Sequence, residues 1–166
     1  MRGRKRRGVQ RCDIAARDFN IGDAYTTIGR TVTETDIVQF LNLSRNLEPQ
    51  FTNREFYEKE WIYQRLASPG GLTFTIMTGL FTHLGLISGT GQGYLGLDEL
   101  RFPAPLFCGD TVHFEVRVLE KKLSSKGRGI VTMGFTGKKQ DGETVLTCRQ
   151  TFVFARRELG GKPVQG

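Results

Sequence analysis

The chain has 166 residues, of which 38% are hydrophobic and 25% charged, and it carries a formal net charge of +7. This length suits one domain, the apolar content is too high for a disordered chain, and no run approaches the roughly 18 apolar residues that a membrane-spanning helix needs. The three cysteines are scattered. Such a set is typical of free thiols in a reducing compartment and predicts a cytoplasmic protein.

The positive charge is concentrated in residues 1–11, which hold six of the 24 basic residues and no acid. The rest of the chain is nearly balanced, so nucleic-acid binding is not expected of the folded body. We predict a basic, disordered or mis-assigned tail over residues 1–17, a folded domain over 18–157 and a flexible tail over 158–166. Two other interpretations of the basic tail stay open, an anion-binding arm and a transit peptide.

Helical signals come first along the folded part. Thr33 resembles an N-cap with an acid three residues later, and apolar residues follow at helical spacing, so a helix is predicted over residues 34–43. Residues 44–53 contain a proline and break the periodicity, which predicts a loop. Asn53 can then cap a short helix over residues 54–60.

Residues 66–97 contain no Lys, Arg, Asp or Glu. The segment opens with Pro-Gly-Gly at residues 69–71 and continues with apolar side chains on most faces, as a buried helix does. It ends in a glycine-rich segment over residues 88–93, which is predicted to be an exit loop. His83 lies in this helix and is predicted to be a hydrogen-bonded core or interface residue.

The remaining chain alternates apolar and polar residues with a period of two, as antiparallel strands do. Lys126-Gly127 and Asp141-Gly142 mark hairpin turns, the second as a type I′ turn. A long uncharged helix followed by consecutive strands predicts an α+β domain, in which a curved antiparallel sheet wraps around the helix. Four strands are predicted, over residues 95–102, 112–119, 129–138 and 144–155.

Motifs that carry chemistry are scarce. The two histidines, His83 and His113, fall on a helix and a strand, and no cysteine cluster accompanies them, so neither a metal nor a cofactor is predicted. A G-x-S-x-G elbow is absent, and the glycines after Ser88 follow a helix rather than a strand, unlike a dinucleotide fingerprint. The remaining candidate is the helix start at Gly70, whose N–H groups and dipole could hold a carbonyl oxygen that gains charge. The other interpretation is that Pro-Gly-Gly only starts the helix and binds nothing.

A further set of residues follows the buried helix: Tyr94-Leu95-Gly96, Leu100, Phe102, Pro105-Leu106-Phe107 and Gly109-Asp110-Thr111-Val112. This set resembles the MaoC-like proteins, hotdog-fold relatives of the (R)-specific enoyl-CoA hydratases. The resemblance implies a hotdog fold, usually dimeric, that binds an acyl-CoA thioester at the subunit interface. It also implies that an Asp and a His of active members hold the water that adds to the 2-enoyl double bond. Gly70 would offer its N–H to the thioester oxygen, and Gly71, Phe74 and Thr78 would bind the substrate.

The loop that carries the water-activating pair departs from the family pattern, which reads Asp, any residue, Asn, Pro, any residue, His. Anchored on Pro49, this chain has Asn46 at the Asp position and Phe51 at the His position. Asparagine cannot take a proton from water, and phenylalanine can neither orient nor deprotonate it. The resemblance therefore implies an acyl-CoA-binding subunit that is non-catalytic or depends on a partner, as a homodimer or with a catalytic MaoC-like subunit.

Two alternatives stay open. Glu48 lies in the same loop beside Leu47 and Phe51, and could act as a relocated base. The chain would then be an active enoyl-CoA hydratase or dehydratase with Asn46, Glu48 and Gly70 in its site. The weaker alternative is an acyl-CoA sensor whose basic tail contacts DNA.

Overall fold

A computed structural model of the protein describes residues 16–155. The predicted tails fall mainly on residues 1–15 and 156–166, and those predictions lie outside the described part of the chain. Ala16–Asp18 form a 3-10 helix, and the side chain of Ala16 is buried. The described fold therefore begins slightly before the predicted start of the domain.

Within residues 16–155 the α-helices and the four long strands after them follow the predicted order, and two short strands that were not among the four predicted precede these helices. No helix in this part of the chain is both long enough and apolar enough to cross a bilayer. The helices are α1 (Glu34–Ser44), α2 (Pro49–Thr52), α3 (Arg54–Lys59) and α4 (Gly70–His83). The strands are β1 (Ala24–Thr26), β2 (Arg30–Thr31), β3 (Gly91–Arg101), β4 (Thr111–Leu123), β5 (Gly129–Lys139) and β6 (Thr144–Phe154).

The strands form one antiparallel sheet in the order β1-β4-β5-β6-β3, and β2 also pairs with β4. Strand β3 is therefore an edge strand of the described sheet. On β4, alternate side chains are no more than 1% exposed, at Val112, Phe114, Val116 and Val118. This alternation confirms the predicted period of two and gives the sheet one apolar face.

Helix α4 packs on that apolar face. The ring of Phe81 lies 5.1 Å from the ring of Phe135 on β5 and 5.3 Å from that of Phe152 on β6, measured between centroids. Met77, one turn earlier on the helix, is 0% exposed. Full burial of each such side chain is worth about 1.5–3 kcal/mol. The arrangement confirms the predicted α+β class, with a curved sheet around a central helix.

Two helix starts are held by the predicted caps. Thr33 Oγ1 accepts a hydrogen bond from the Asp36 N–H at 3.2 Å, and Asp36 Oδ2 accepts one from the Thr33 N–H at 2.9 Å. Asn53 Oδ1 accepts a hydrogen bond from the Phe56 N–H at 3.3 Å. Each cap of this kind is worth about 1 kcal/mol, so the starts of α1 and α3 are fixed on both sides of the candidate loop.

Two segments predicted as loops contain regular structure instead. In residues 44–53 the chain forms α2, because Pro49 occupies the first turn, where its missing N–H is not needed. In residues 88–93 strand β3 already begins at Gly91. A Cβ at Gly91 would lie 2.7 Å from the Ile87 carbonyl oxygen, so this glycine permits a close approach to the helix exit.

The predicted type I′ turn at Asp141-Gly142 is wrong. Gly142 has a φ of 87°, but Asp141 is not among the residues with positive φ, and a type I′ turn needs both. The Lys139 N–H donates to the Glu143 oxygen at 2.9 Å, and the Gly142 N–H donates to the Lys139 oxygen at 3.0 Å. This is a three-residue loop that ends in a left-handed glycine, and the turn at Gly127 has the same pattern.

Candidate functional site

The start of helix α4 presents backbone N–H groups that the helix does not use. The first donors to the Pro69 carbonyl oxygen are the N–H groups of Leu72 at 2.9 Å and Thr73 at 3.1 Å. Pro69, the N-cap residue, supplies no side-chain hydrogen bond. The N–H groups of Gly70 and Gly71 have no acceptor within the helix and lie at the positive end of its dipole, where a carbonyl oxygen can accept hydrogen bonds from them.

Close packing also explains why both residues are glycines. A Cβ at Gly70 would lie 3.1 Å from Cζ of Phe102, and a Cβ at Gly71 would lie 2.8 Å from Cζ of Phe40. The two phenylalanine rings therefore approach the backbone of the helix start from two sides. The interpretation as helix-start punctuation and the interpretation as a binding site are both compatible with this geometry.

A cavity of about 190 Å³ opens at this helix start, and we call it the helix-start cavity. Phe51 and Gly70, which the sequence placed at the His position and the oxyanion position, both line it. Among the described residues its lining contains no carboxylate, amine, guanidinium or imidazole group. The polar side chains in the lining are Ser68, Thr73 and Tyr63, and Ser68 Oγ and Thr73 Oγ1 lie 3.1 Å apart in a mutual hydrogen bond.

The outer wall of the cavity is a chain of aromatic rings in edge-to-face contact. Phe51 lies 6.0 Å from Trp61, Trp61 lies 4.9 Å from Tyr63, and Tyr63 lies 5.7 Å from Phe107, between ring centroids. The Arg65 guanidinium lies over the last ring of this row, 4.2 Å from the centroid of the Phe107 ring. Pairs of this kind add about 0.5–1.5 kcal/mol each beyond burial. The ring of Phe51 is thus held in place by a wall that sequence reasoning did not identify.

The structure does not bring Asn46 and Glu48 into the lining of this cavity. Asn46 is half-buried, and its Oδ1 accepts a hydrogen bond from the Glu48 N–H at 3.5 Å. Glu48 is exposed and its carboxylate makes no capping hydrogen bond to α2. The neighbouring Leu47 is 66% exposed, so the apolar surroundings expected around a relocated base are not formed.

A second cavity, of about 520 Å³, lies along the flank of α4, and we call it the helix-flank cavity. Phe74 and Thr78, both predicted to bind substrate, line it, whereas Gly71 lines neither cavity. Thr78 Oγ1 also donates to the Phe74 carbonyl oxygen at 3.2 Å, so it lines the cavity and bonds within its own helix. Gly70, Phe74 and Thr78 are spaced four residues apart and form one ridge of the helix.

Neither described cysteine offers a reactive thiolate. Burial raises the pKa of the Cys148 thiol to about 11, and burial likewise raises the pKa of Cys108. His83 is exposed at the last residue of α4, so of its two predicted positions, core or interface, the core position is wrong and the interface position stays a prediction. Across residues 16–155, His, Cys, Asp and Glu side chains form no group that could hold a metal ion.

Comparison with known proteins identifies the family. Residues 18–139 match the sequence model of a family described as MaoC like domain. Among solved structures, the chain is similar to the monoamine oxidase regulatory protein of Archaeoglobus fulgidus, with 30% identity and a TM-score of 0.81 over 87% of this chain and 96% of that one. It is also similar to the MaoC-like dehydratase of Rhodospirillum rubrum, with 28% identity and a TM-score of 0.72 over 86% of this chain and 97% of that one. The predicted hotdog fold is confirmed by these matches.

A shorter match links the chain to a curated enzyme. It is 37% identical over 67 residues to the 3-hydroxyacyl-(acyl-carrier-protein) dehydratase FabZ of Shewanella woodyi. This match covers 40% of the present chain and 38% of the relative. The likeness therefore spans well under half the length of that enzyme.

Proposed function

The chain belongs to the MaoC-like family of hotdog dehydratases and hydratases, and from that premise we propose that it binds acyl-CoA thioesters without hydrating them on its own. In this proposal it acts as a subunit of a homodimer or of a hetero-oligomer with a catalytic MaoC-like partner. The observation that carries the proposal is the helix-start cavity, which combines the free N–H of Gly70 with the ring of Phe51 and holds no carboxylate or imidazole in its described lining.

Hydration of a 2-enoyl thioester makes two demands on a protein. A base must take a proton from water as the oxygen attacks the double bond, and hydrogen-bond donors must stabilise the negative charge that develops on the thioester oxygen. The start of α4 can meet the second demand through the N–H group of Gly70, which lines the cavity. The first is unmet, because Phe51 occupies the His position and the Glu48 carboxylate lies outside the cavity.

The size of the expected loss supports a non-catalytic role. A positioned general acid or base contributes about 10²–10⁴-fold to a rate, and two residues that share one water act as a unit. The rings of Phe51, Trp61 and Tyr63 contact one another in the lining of the helix-start cavity and give it apolar surface. Such a pocket can still hold the thioester group of a ligand, since ligand sites are mostly apolar with a few placed donors.

Strand β3 supports the role as a subunit. It is an edge of the described sheet, and two of its large side chains are solvent-exposed, Tyr94 at 49% and Leu95 at 56%. An edge strand with unpaired backbone groups and exposed apolar side chains is suited to pairing with another subunit. The alternative of a DNA-contacting sensor depends on the basic tail, which lies outside the described residues.

The test measures binding and turnover on the same purified full-length chain. Calorimetry with butyryl-, hexanoyl- and octanoyl-CoA reports binding, and loss of the conjugated double bond of crotonyl-CoA and longer 2-enoyl-CoAs reports hydration. We expect binding without turnover. Turnover that is lost in Glu48→Ala, with folding intact, would refute the proposal and establish the active enzyme with a relocated base. Absence of thioester binding would refute the binding role itself.

A gain-of-function experiment sharpens the comparison. The double variant Asn46→Asp/Phe51→His restores the family pair, and the two single variants are its matched controls. We expect hydration to appear in the double variant and to stay at background in each single variant, because orientation and proton transfer need both groups. Equal activity of the double variant and its controls, in folded proteins that bind thioester, would show that losing the pair does not explain the inactivity.

A further inference from the structure

Gln150 is out of place on the inner face of β6. Four other residues of that face are apolar and buried, at Leu146, Cys148, Phe152 and Phe154, and Gln150 among them is only 3% exposed. Burying a side-chain amide costs free energy unless strong hydrogen bonds replace those to water. A polar residue at this position therefore calls for a reason other than packing.

The partners of its amide nitrogen are weak. Gln150 Nε2 lies 3.7 Å from the Met77 sulfur and 3.8 Å from the Cys148 sulfur. Thioether and thiol sulfurs are weak acceptors, so these contacts recover little of what the amide loses on leaving water. An oxygen atom brought within reach of Nε2 would be a better acceptor than either sulfur.

Such an oxygen could arrive through the helix-flank cavity, because Gln150 lines it. The rest of its described lining is uncharged, with Phe74, Phe81 and Phe152 among the apolar side chains. The hydroxyl of Thr82, on the same helix, already donates to the Gly79 carbonyl oxygen at 2.7 Å. Gln150 is thus the buried polar side chain of this described lining, and the acceptors of its amide nitrogen are two sulfur atoms.

Gln150 on β6 contacts α4 at Met77. This contact sets the position along the acyl chain at which the oxygen would lie. Met77, which touches its amide, is seven residues beyond Gly70, or about 10 Å along the helix at 1.5 Å per residue. An acyl chain whose thioester oxygen meets the Gly70 N–H would run along the ridge of Phe74 and Thr78. It would reach Gln150 several carbons from the thioester.

We propose that Gln150 is a specificity-determining residue whose side-chain amide donates a hydrogen bond to an uncharged oxygen, a hydroxyl or a ketone, carried on the acyl chain about 10 Å from the thioester. An uncharged oxygen is specified because the described lining of the cavity contains no cation to balance a carboxylate. The inference rests on the proposed binding of acyl-CoA thioesters. It predicts a preference for oxygenated acyl chains over plain alkyl chains of equal length.

The experiment compares matched ligands on the full-length chain. Calorimetry measures the Kd of hexanoyl-, octanoyl- and decanoyl-CoA and of the analogue of each with a terminal hydroxyl. We expect one of the three hydroxylated ligands to bind about tenfold more tightly than its alkyl counterpart. Gln150→Met keeps the shape and removes the donor, so it should abolish that preference. Gln50→Met, at a glutamine that lines neither of the two cavities, should leave it unchanged.

The outcomes separate this inference from the function on which it rests. Equal affinity for hydroxylated and alkyl ligands at all three lengths overturns the role of Gln150 and leaves thioester binding intact. A preference that survives in folded Gln150→Met also overturns it. Failure to bind any of the thioesters overturns the proposed function and this inference together. The wild-type comparison decides the question even if Gln150→Met does not fold.

Discussion

Replacing Gly70 by proline removes one backbone N–H from the start of α4 and leaves the helix able to form. Proline is tolerated at the first helical position because the helix does not use that N–H. The preceding residue, Pro69, has φ −53° and ψ 142°, the extended conformation that a residue before proline requires. Gly70→Ala is the matched control, since it retains the N–H and adds the same Cβ next to Phe102.

The expected effect follows from the geometry. Both variants place a Cβ 3.1 Å from Cζ of Phe102, and that side chain is 43% exposed and can move, so the packing cost is shared. Relative to alanine, proline loses one hydrogen bond to the thioester oxygen, worth about 0.5–1.5 kcal/mol net, and its ring carbon Cδ takes the place of the amide hydrogen. Gly70→Pro should therefore bind octanoyl-CoA at least about two- to tenfold more weakly than Gly70→Ala.

Isothermal calorimetry on the purified variants measures this difference, and thermal unfolding checks that both remain folded. Equal affinities of folded Gly70→Pro and Gly70→Ala would refute the assignment of the Gly70 N–H to the ligand. In that case the glycine would be explained by its contact with Phe102 alone.

Two further predictions concern stability. In Gly137→Ala the new Cβ would lie 2.4 Å from Cε1 of the buried Phe114, so urea unfolding should show a loss of about 1–3 kcal/mol in the free energy of unfolding. Gly96→Ala, with no atom within 4 Å of its Cβ, should change the free energy of unfolding by less than about 0.5 kcal/mol. Equal effects of the two variants would contradict the packing argument. The side-chain hydrogen bond to Glu143 raises the pKa of the buried Lys139. The charged Lys139 therefore stabilises the fold below its unfolded-state pKa of about 10.4, and this stabilisation is lost as pH rises through the pKa of the folded state. Urea unfolding at about pH 8 and pH 11 should show a larger alkaline loss in the wild type than in Lys139→Met, and equal losses would contradict this role.

Local patterns were sufficient to predict most of the fold. The alternation along β4 and the caps at Thr33 and Asn53 depend on neighbours within a few residues, and the structure confirms them. The turn at Asp141-Gly142 was predicted with the wrong type, because the residues of a hairpin loop do not determine its length. That length depends on which backbone groups pair, and here Lys139 pairs with Glu143.

The candidate site could be predicted only in part. The family pattern led to Phe51 and Gly70, and the structure places both in one cavity. Trp61 and Gln150 were missed because their positions depend on tertiary packing. Trp61 lines the cavity in edge-to-face contact with Phe51. Gln150 is one polar residue on the otherwise apolar buried face of β6. A polar residue at a buried position of the alternating strand pattern was the sequence signal that could have identified Gln150.

The irregular pairing of β3 bears on how an unassembled chain behaves in a crowded cell. Within its eleven residues, the register against β6 shifts between Gly91 and Gly93, between Tyr94 and Gly96, and between Asp98 and Arg101, and Glu99 has a φ of 53°. Fibrils grow by stacking flat strands in continuous register, whereas bulges bend a strand and interrupt its row of free backbone groups. The open edge of the described sheet therefore does not favour open-ended addition of further copies of the chain.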